Sequence, residues 1–277
     1  MNNLSLSSTA ALANGVKMPR IGLGVFKVEK EEELITAVKA AIENGYRSID
    51  TASIYGNEEW VGEAIRQSGI NREDIFVTSK VWNADQGYEA TRKAFNSSLK
   101  KMGLEYLDLY LIHWPVEGKY TETWRALEDL YKEGKIKAIG VSNFQIHHLE
   151  NLLETAEIKP MINQIELHPK LAQAELRAFA AKHDMHIEAW APLMQGGLFE
   201  NEILKGLAEK HGKSIAQIVL RWHLQNGIIV IPKSTKPKRI KENADLFGFE
   251  LSQQDMDLID SLDEHLRVGP DPDNFDF

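Results

Sequence analysis

The sequence predicts an α/β chain folded as a (β/α)8 TIM barrel, with a short N-terminal β-hairpin as a plug beneath it. Three observations carry this reading. Short apolar, β-rich runs alternate with amphipathic stretches of helical length, and the alternation counts to eight. The chain has 277 residues, of which 43% are hydrophobic, enough to fill one barrel core. Four residue types able to reduce a carbonyl, Asp50, Tyr55, Lys80 and His113, stand at the ends of three consecutive predicted strands. A barrel gathers such strand ends around one opening.

In chain order, Asn14-Gly15 within Ala11 to Val16 reads as the usual two-residue hairpin turn and supplies the plug. Strands are expected at Ile21 to Gly24, Arg47 to Asp50, Ile75 to Lys80, Leu107 to Ile112, Ala138 to Val141, Ile162 to Glu166, His186 to Trp190 and Ile228 to Ile231. Helical patterns separate them. In Glu32 to Asn44, for example, Leu34, Ile35, Val38, Ala41 and Ile42 fall at helical spacing and Asn44-Gly45 stops the run. No linker or short-period repeat interrupts the series, so residues 1–277 read as one domain. A doubly wound sheet is the competing alternation. Gly22-Leu23-Gly24 is followed by Val25, Phe26 and Lys27, however, so the third glycine of a dinucleotide-binding turn is missing.

Composition narrows the function. Without cysteine there is no disulfide, thiolate nucleophile or Cys-ligated metal. The opening MNNLSLSSTAALANG lacks the pattern of an export signal, and no apolar run approaches the roughly 18 residues of a membrane span. A cytoplasmic protein is expected. A net charge of −9 repels nucleic acid and anionic membranes outside any local basic patch. No metal site is expected either: HExxH is absent, and the adjacent His147 and His148 should face apart on any regular element, as a surface feature of a helix start.

Reducing an aldehyde takes a hydride to carbon, which a cofactor must bring, and a proton to oxygen, which a side chain can give. Tyrosine is a reluctant acid, with an ordinary pKa of about 10, but a neighbouring ammonium lowers it. Lys80 is placed to be that ammonium, and Asp50 to hold its charge against desolvation. His113 is placed to orient the carbonyl, and Trp114 to wall the pocket. The same Lys80 also suits a barrel aldolase, as the amine of a Schiff base.

After the eighth strand, IPKSTKPKRIKENADLF places Lys233, Lys236, Lys238, Arg239 and Lys241 within nine residues that contain no acid. A short helix is expected after Pro237, where barrels place phosphate sites. No aromatic residue interleaves the run before Phe247, so a phosphorylated cofactor suits it better than nucleic acid.

The segments GYRSIDTASIYGNEEWVGEAI, LIHWP, GVSNF and IPKSTKPKRIKENADLF together resemble the signature segments of the aldo-keto reductase family, in the right order and across nearly the whole chain. The resemblance implies a barrel that binds NADPH without a Rossmann turn, with Asp50, Tyr55, Lys80 and His113 at the catalytic positions and Tyr55 as proton donor. It implies that Ser142, Asn143 and Gln164 hold the nicotinamide carboxamide and that Trp190 stacks on the ring. Leu193 and the loop from Gln195 to Gly197 would cross the pyrophosphate. Lys233, Ser234 and Arg239 would hold the 2′-phosphate, and Glu242 and Asn243 the adenine.

Three positions depart from the commonest pattern: Trp190 replaces a frequent tyrosine, Ala191 a frequent serine, and Phe26 a frequent tryptophan of the substrate cleft. Phe26, Trp82 and Trp114 line the expected pocket. The connections and the tail RVGPDPDNFDF are short, so the cleft is expected to be open and permissive, as in bacterial members acting on small aldehydes and dicarbonyls. The expected activity is NADPH-dependent reduction of small aldehydes and α-ketoaldehydes such as glyoxal and methylglyoxal, with no obligate protein partner. The readings left beside it are the Lys80 aldolase and a nucleotide-binding redox sensor with little turnover.

Overall fold

A computed structural model describes residues 4–277. Its strands are β1 (Thr9–Ala11), β2 (Lys17–Pro19), β3 (Leu23–Gly24), β4 (Ser48–Asp50), β5 (Phe76–Val81), β6 (Leu107–Ile112), β7 (Ile136–Ser142), β8 (Ile162–Glu166), β9 (His186–Trp190) and β10 (Ile229–Val230). The helices are α1 (Glu31–Glu43), α2 (Glu58–Ser68), α3 (Tyr88–Met102), α4 (Tyr120–Lys132), α5 (Ile146–Leu153), α6 (Ala174–Lys182), α7 (Glu202–His211), α8 (Ile215–Gln225), α9 (Pro237–Ala244) and α10 (Gln253–Asp260).

Strands β3 to β10 form one parallel sheet in sequence order, the arrangement that βα connections produce. Its two edges meet. Gly22 N donates to Val230 O at 2.8 Å and Val230 N to Arg20 O at 3.1 Å, and further on Gly24 N donates to Pro232 O at 3.3 Å. Parallel bridges Ile21–Val230 and Gly24–Lys233 therefore close the sheet into a barrel. Each predicted strand is present, three with the expected ends and five with ends shifted by one or two residues.

Strands β5 and β6 are buried at every position, as expected where one face meets the barrel interior and the other the helices. The outer helices present apolar stripes to that sheet. Helix α8 is buried over nine of its residues and brings Trp222, whose indole donates to Asp260 Oδ1 of α10 at 2.8 Å. Burying each of the aliphatic side chains around it, such as Ile218 and Leu220, contributes about 1.5–3 kcal/mol. Ser214-Gln217 and Ser252-Asp255 capping boxes start α8 and α10, satisfying amide donors that the first helical turn leaves free.

The N-terminal hairpin pairs Thr9 with Pro19 and Ala11 with Lys17. It sits against the amino ends of the barrel strands: Asn14 Nδ2 donates to Lys137 O at 2.9 Å, and His186 Nε2 lies 2.9 Å from Ala11 O. The plug is where the sequence indicates, but its turn differs. Leu12 N donates to Val16 O and Gly15 N to Leu12 O, so three residues form the loop, closed by Gly15 at φ 86°. The left-handed residue allows the strand twist to continue past a type I turn.

Among the described residues, no helix is long and apolar enough to cross a membrane.

Candidate active site

The carboxyl ends of β4, β5 and β6 bring four side chains together. Asp50 ends β4, a single 3-10 turn (Ser53–Tyr55) returns Tyr55 over it, Lys80 is the penultimate residue of β5, and His113 follows β6. Lys80 Nζ donates to Asp50 Oδ1 at 2.7 Å, to Thr51 O at 2.9 Å and to Tyr55 Oη at 3.5 Å. All three ammonium hydrogens are thus engaged, and the Tyr55 hydroxyl is left with its own hydrogen to give. The Tyr55 and His113 rings meet edge to face, centroids 5.8 Å apart.

Burial works against the Lys80 charge, but Asp50, with Tyr55 and Glu188, outweighs it and holds the ammonium above its ordinary range. At Tyr55 the expected pull of Lys80 is present but outweighed. Burial raises the phenol above its usual value; Lys80 pulls it down, Asp50 pushes it up, and the net shift is upward. Lys80 therefore limits the desolvation of Tyr55 rather than making it a strong acid. Burial, followed by the Lys80 charge, holds His113 well below the usual imidazole range, so the ring is neutral near pH 7. His113 Nδ1 is buried without a partner. An unpaired lone pair is tolerated better than an unpaired N–H, which assigns the proton to Nε2.

The next three strand ends form a polar wall. Ser142 Oγ donates to Gln164 O at 2.8 Å, Asn143 Nδ2 to His113 O at 3.0 Å and to Ser142 Oγ at 3.2 Å, and Trp190 Nε1 to Asn143 Oδ1 at 2.8 Å. With these hydrogens spent inside the protein, Ser142 Oγ and Asn143 Oδ1 can meet a further group only as acceptors, the complement of a carboxamide NH2. Asn143, Ala191, Met194 and Gln195 all have positive φ, between 48° and 64°. Each non-glycine residue in that region costs about 1 kcal/mol, and such strain clusters where a backbone is shaped for a ligand. Ala191 to Gln195 turn the chain, with Leu193 half-buried and Gln195 exposed, across the barrel mouth beside Trp190.

Across the mouth, α9 opens with Pro237 at its first turn and no side-chain cap, leaving amide hydrogens free for an anion. Lys233, Lys236, Lys238, Arg239 and Lys241 are exposed around it, and among the described residues none pairs with a carboxylate, although nearby Lys213 pairs with Asp245. Ser234 is buried and its Oγ accepts from Lys236 N at 3.1 Å. Asn243 is buried and Glu242 half-buried on the following turn. Free helix amides beside unpaired cations fit a phosphorylated nucleotide, and the lone pairs on Ser142 and Asn143 fit an amide at its other end.

The substrate side departs from the expected open cleft. Phe26 lies over Tyr55, ring centroids 4.9 Å apart, and is half exposed. Trp82 stacks on Phe277 at 5.7 Å, Trp114 meets Phe275 and Phe277 at 5.2 Å each, and Asn83 Nδ2 donates to Phe277 O at 3.0 Å. The tail is short, yet it reaches over Trp82 and Trp114 and narrows the mouth.

Three tail anchors escaped the sequence reading. Buried Glu166 accepts from Val268 N at Oε1, 2.7 Å, and from Gly269 N at Oε2, 3.0 Å, while His168 Nε2 lies 3.0 Å from the same Oε1. Gly269 is pressed against Trp190, where a Cβ would overlap the indole ring. His147 and His148 do not face apart: their ring centroids are 4.0 Å apart, and both Nε2 atoms reach Asp273 Oδ1, at 3.2 and 3.5 Å. Gln145 N donates to His148 Nδ1, which assigns the His148 proton to Nε2, facing Asp273. His148 therefore fastens the tail as a donor; serving as a metal ligand through Nε2 would cost the helix its cap.

Also unanticipated is Glu188, buried in β9 and accepting from Gln164 Nε2. An acid at a fully buried strand position, in HIEAW, is the signal that could have found it.

A closed parallel barrel that gathers a tyrosine, a paired lysine and a neutral histidine at the carboxyl ends of its strands belongs to the oxidoreductase barrels. The chain is a member of the aldo/keto reductase family, whose family model matches residues 20–264. It is 63% identical to a glyoxal reductase of Bacillus subtilis, covering 99% of each chain. It is 50% identical to the methylglyoxal reductase DkgA of Escherichia coli, covering 95% of this chain and 96% of the relative. Among solved structures, a mutant of Gox0644 in complex with NADPH superposes with a TM-score of 0.93 at 46% identity, covering 97% of this chain and 98% of that one.

Proposed function

We propose that this protein is an NADPH-dependent reductase of small aldehydes and α-ketoaldehydes, such as glyoxal and methylglyoxal, and that residues 1–277 act as one barrel domain in the cytoplasm. The single observation that carries the reading is the placement of Lys80, which donates to Tyr55 Oη while paired to Asp50. The relatives that reduce glyoxal and methylglyoxal, and the structural neighbour that holds NADPH, support the substrate class and the cofactor.

When bound, NADPH supplies the hydride that adds to the carbonyl carbon. The chain's own groups manage the oxygen. His113 Nε2–H donates to the carbonyl oxygen and orients it; as negative charge develops there, Tyr55 gives up its hydroxyl proton, and the Lys80 ammonium stabilises the phenolate left behind. Solvent returns a proton to Tyr55. The products are an alcohol and NADP+. Ser142, Asn143 and Gln164 hold the carboxamide, Trp190 covers the ring, and Leu193 and Gln195 cross the pyrophosphate. Lys233, Ser234 and Arg239 take the 2′-phosphate, and Glu242 and Asn243 the adenine. Phe26, Trp82 and Trp114, with the tail, set which carbonyls enter.

The Schiff-base alternative needs a neutral lysine, and Lys80 has all three hydrogens engaged and its charge reinforced. The direct test is loss of NADPH absorbance with methylglyoxal. The expected result is rapid oxidation by the native protein, slower with NADH and nearly absent in Tyr55→Phe. NADPH binding without oxidation of any small aldehyde would overturn the reading in favour of a nucleotide sensor.

A further inference from the structure

We infer that Glu188 is a positioning residue, which holds the side-chain amide of Gln164 in the one orientation that presents its oxygen to the nicotinamide. The inference rests on the reductase reading above and concerns a residue outside the catalytic four.

Gln164 Nε2 donates to Asp50 Oδ2 at 2.8 Å and to Glu188 Oε2 at 2.7 Å. Both amide hydrogens are spent on carboxyl groups, so the amide cannot turn over without setting its oxygen against them. One hydrogen bond alone would leave the side chain free to swing about that bond; two fix its plane. Gln164 Oε1, which has no hydrogen-bond partner among the described residues, remains as an acceptor for the carboxamide NH2. Glu188, Gln164 and Asp50 are all at least 97% buried, so water does not substitute for a lost anchor.

The charges around this group explain how a second carboxyl is tolerated. Asp50 on β4 faces it, Lys80 on β5 supplies a nearby cation, and Tyr55 is close by; β10 contributes Ile229 and Val230, paired with Glu188 and Ala189. Burial first, and then the Asp50 charge, push the Glu188 carboxyl up to about 8. It is mainly protonated at neutral pH, which leaves Asp50 as the counter-ion paired with Lys80 among the described residues. A neutral carboxyl still accepts from Gln164 through its carbonyl oxygen.

The test compares native protein, Glu188→Leu and Glu188→Gln in two fluorescence titrations, one with NADPH and one with adenosine 2′,5′-bisphosphate, the cofactor half without nicotinamide. The expected result is that Glu188→Leu weakens NADPH about tenfold, the effect of one buried neutral hydrogen bond, and leaves the bisphosphate unchanged. Glu188→Gln keeps an acceptor of the same shape and recovers the NADPH affinity. Unchanged NADPH affinity in Glu188→Leu overturns the inference. So does equal weakening of both ligands, which would mean a general loosening of the barrel, or a Glu188→Gln protein as weak as Glu188→Leu. Native protein that binds the bisphosphate but gains nothing from the nicotinamide half overturns the reductase reading as well.

Discussion

Lys80 Nζ lies 2.7 Å from Asp50 Oδ1, and the two side chains are 0% and 4% exposed. A pair so buried repays its desolvation only while both members are present. Replacing Lys80 with Met leaves Asp50 charged and uncompensated, so urea unfolding should show a loss of about 3–5 kcal/mol. The double variant Asp50→Asn with Lys80→Met should regain most of that stability and still show no turnover. Recovery of stability without activity separates the pair's structural role from its action on Tyr55.

Tyr55→Phe removes one oxygen from a half-buried ring that also packs on Phe26. Loss of a positioned general acid should lower kcat by about 10²–10⁴. NADPH affinity should stay close to native, because no cofactor group is proposed to bond that hydroxyl. Steady-state rates with methylglyoxal and a fluorescence titration check both parts.

Arg239 is exposed, has no carboxylate partner among the described residues, and stands in the first turn of α9. Arg239→Ala should weaken NADPH by about 1.5–3 kcal/mol, the range of a charge-assisted hydrogen bond, and leave NADH nearly unaffected. Equal weakening of the two cofactors would exclude a 2′-phosphate role.

Stability should fall as pH rises through the Glu188 window. The folded protein retains this proton up to about pH 8, whereas the unfolded chain releases it near the ordinary 4.5. Between those values the native state binds more protons, so ΔG of unfolding decreases with pH. Glu188→Gln should remove that part of the slope, which denaturation midpoints measured across the window would reveal. An unchanged slope would show that Glu188 titrates normally.

Phe277 packs its ring on Trp82 and Trp114. Phe277→Ala should widen the mouth and raise kcat/KM for bulky aromatic aldehydes several-fold relative to glyoxal. A uniform change across aldehyde sizes would mean that the tail does not gate the cleft.

Much of the barrel was legible because βα units leave a periodic record: eight apolar runs became eight strands, and Asp50, Lys80 and His113 converged because each sits at a strand end. Arg239 and its neighbours were legible as a run of cations without acids. What was not legible depends on contacts between distant segments. The tail aromatics gain meaning only when Phe277 meets Trp82, 195 residues earlier in the chain. His147 and His148 were misread because side chains long enough to bend toward one carboxylate escape the rule that neighbours face apart. The Tyr55 shift was misread because spacing records which charges are near but not how much water is excluded.

Gly269 leaves no room for a side chain between the tail and Trp190, and its amide is held by Glu166. On the proposed reading, cofactor seat and substrate gate thereby share one clamp. Variation that enlarges residue 269 would displace the indole and disturb nucleotide binding before it could alter substrate choice. On the same reading, diversification of substrate range would be channelled into the residues beyond that clamp, from Asp273 to Phe277, where changes would reach an incoming carbonyl and leave the proposed hydride donor's seat intact.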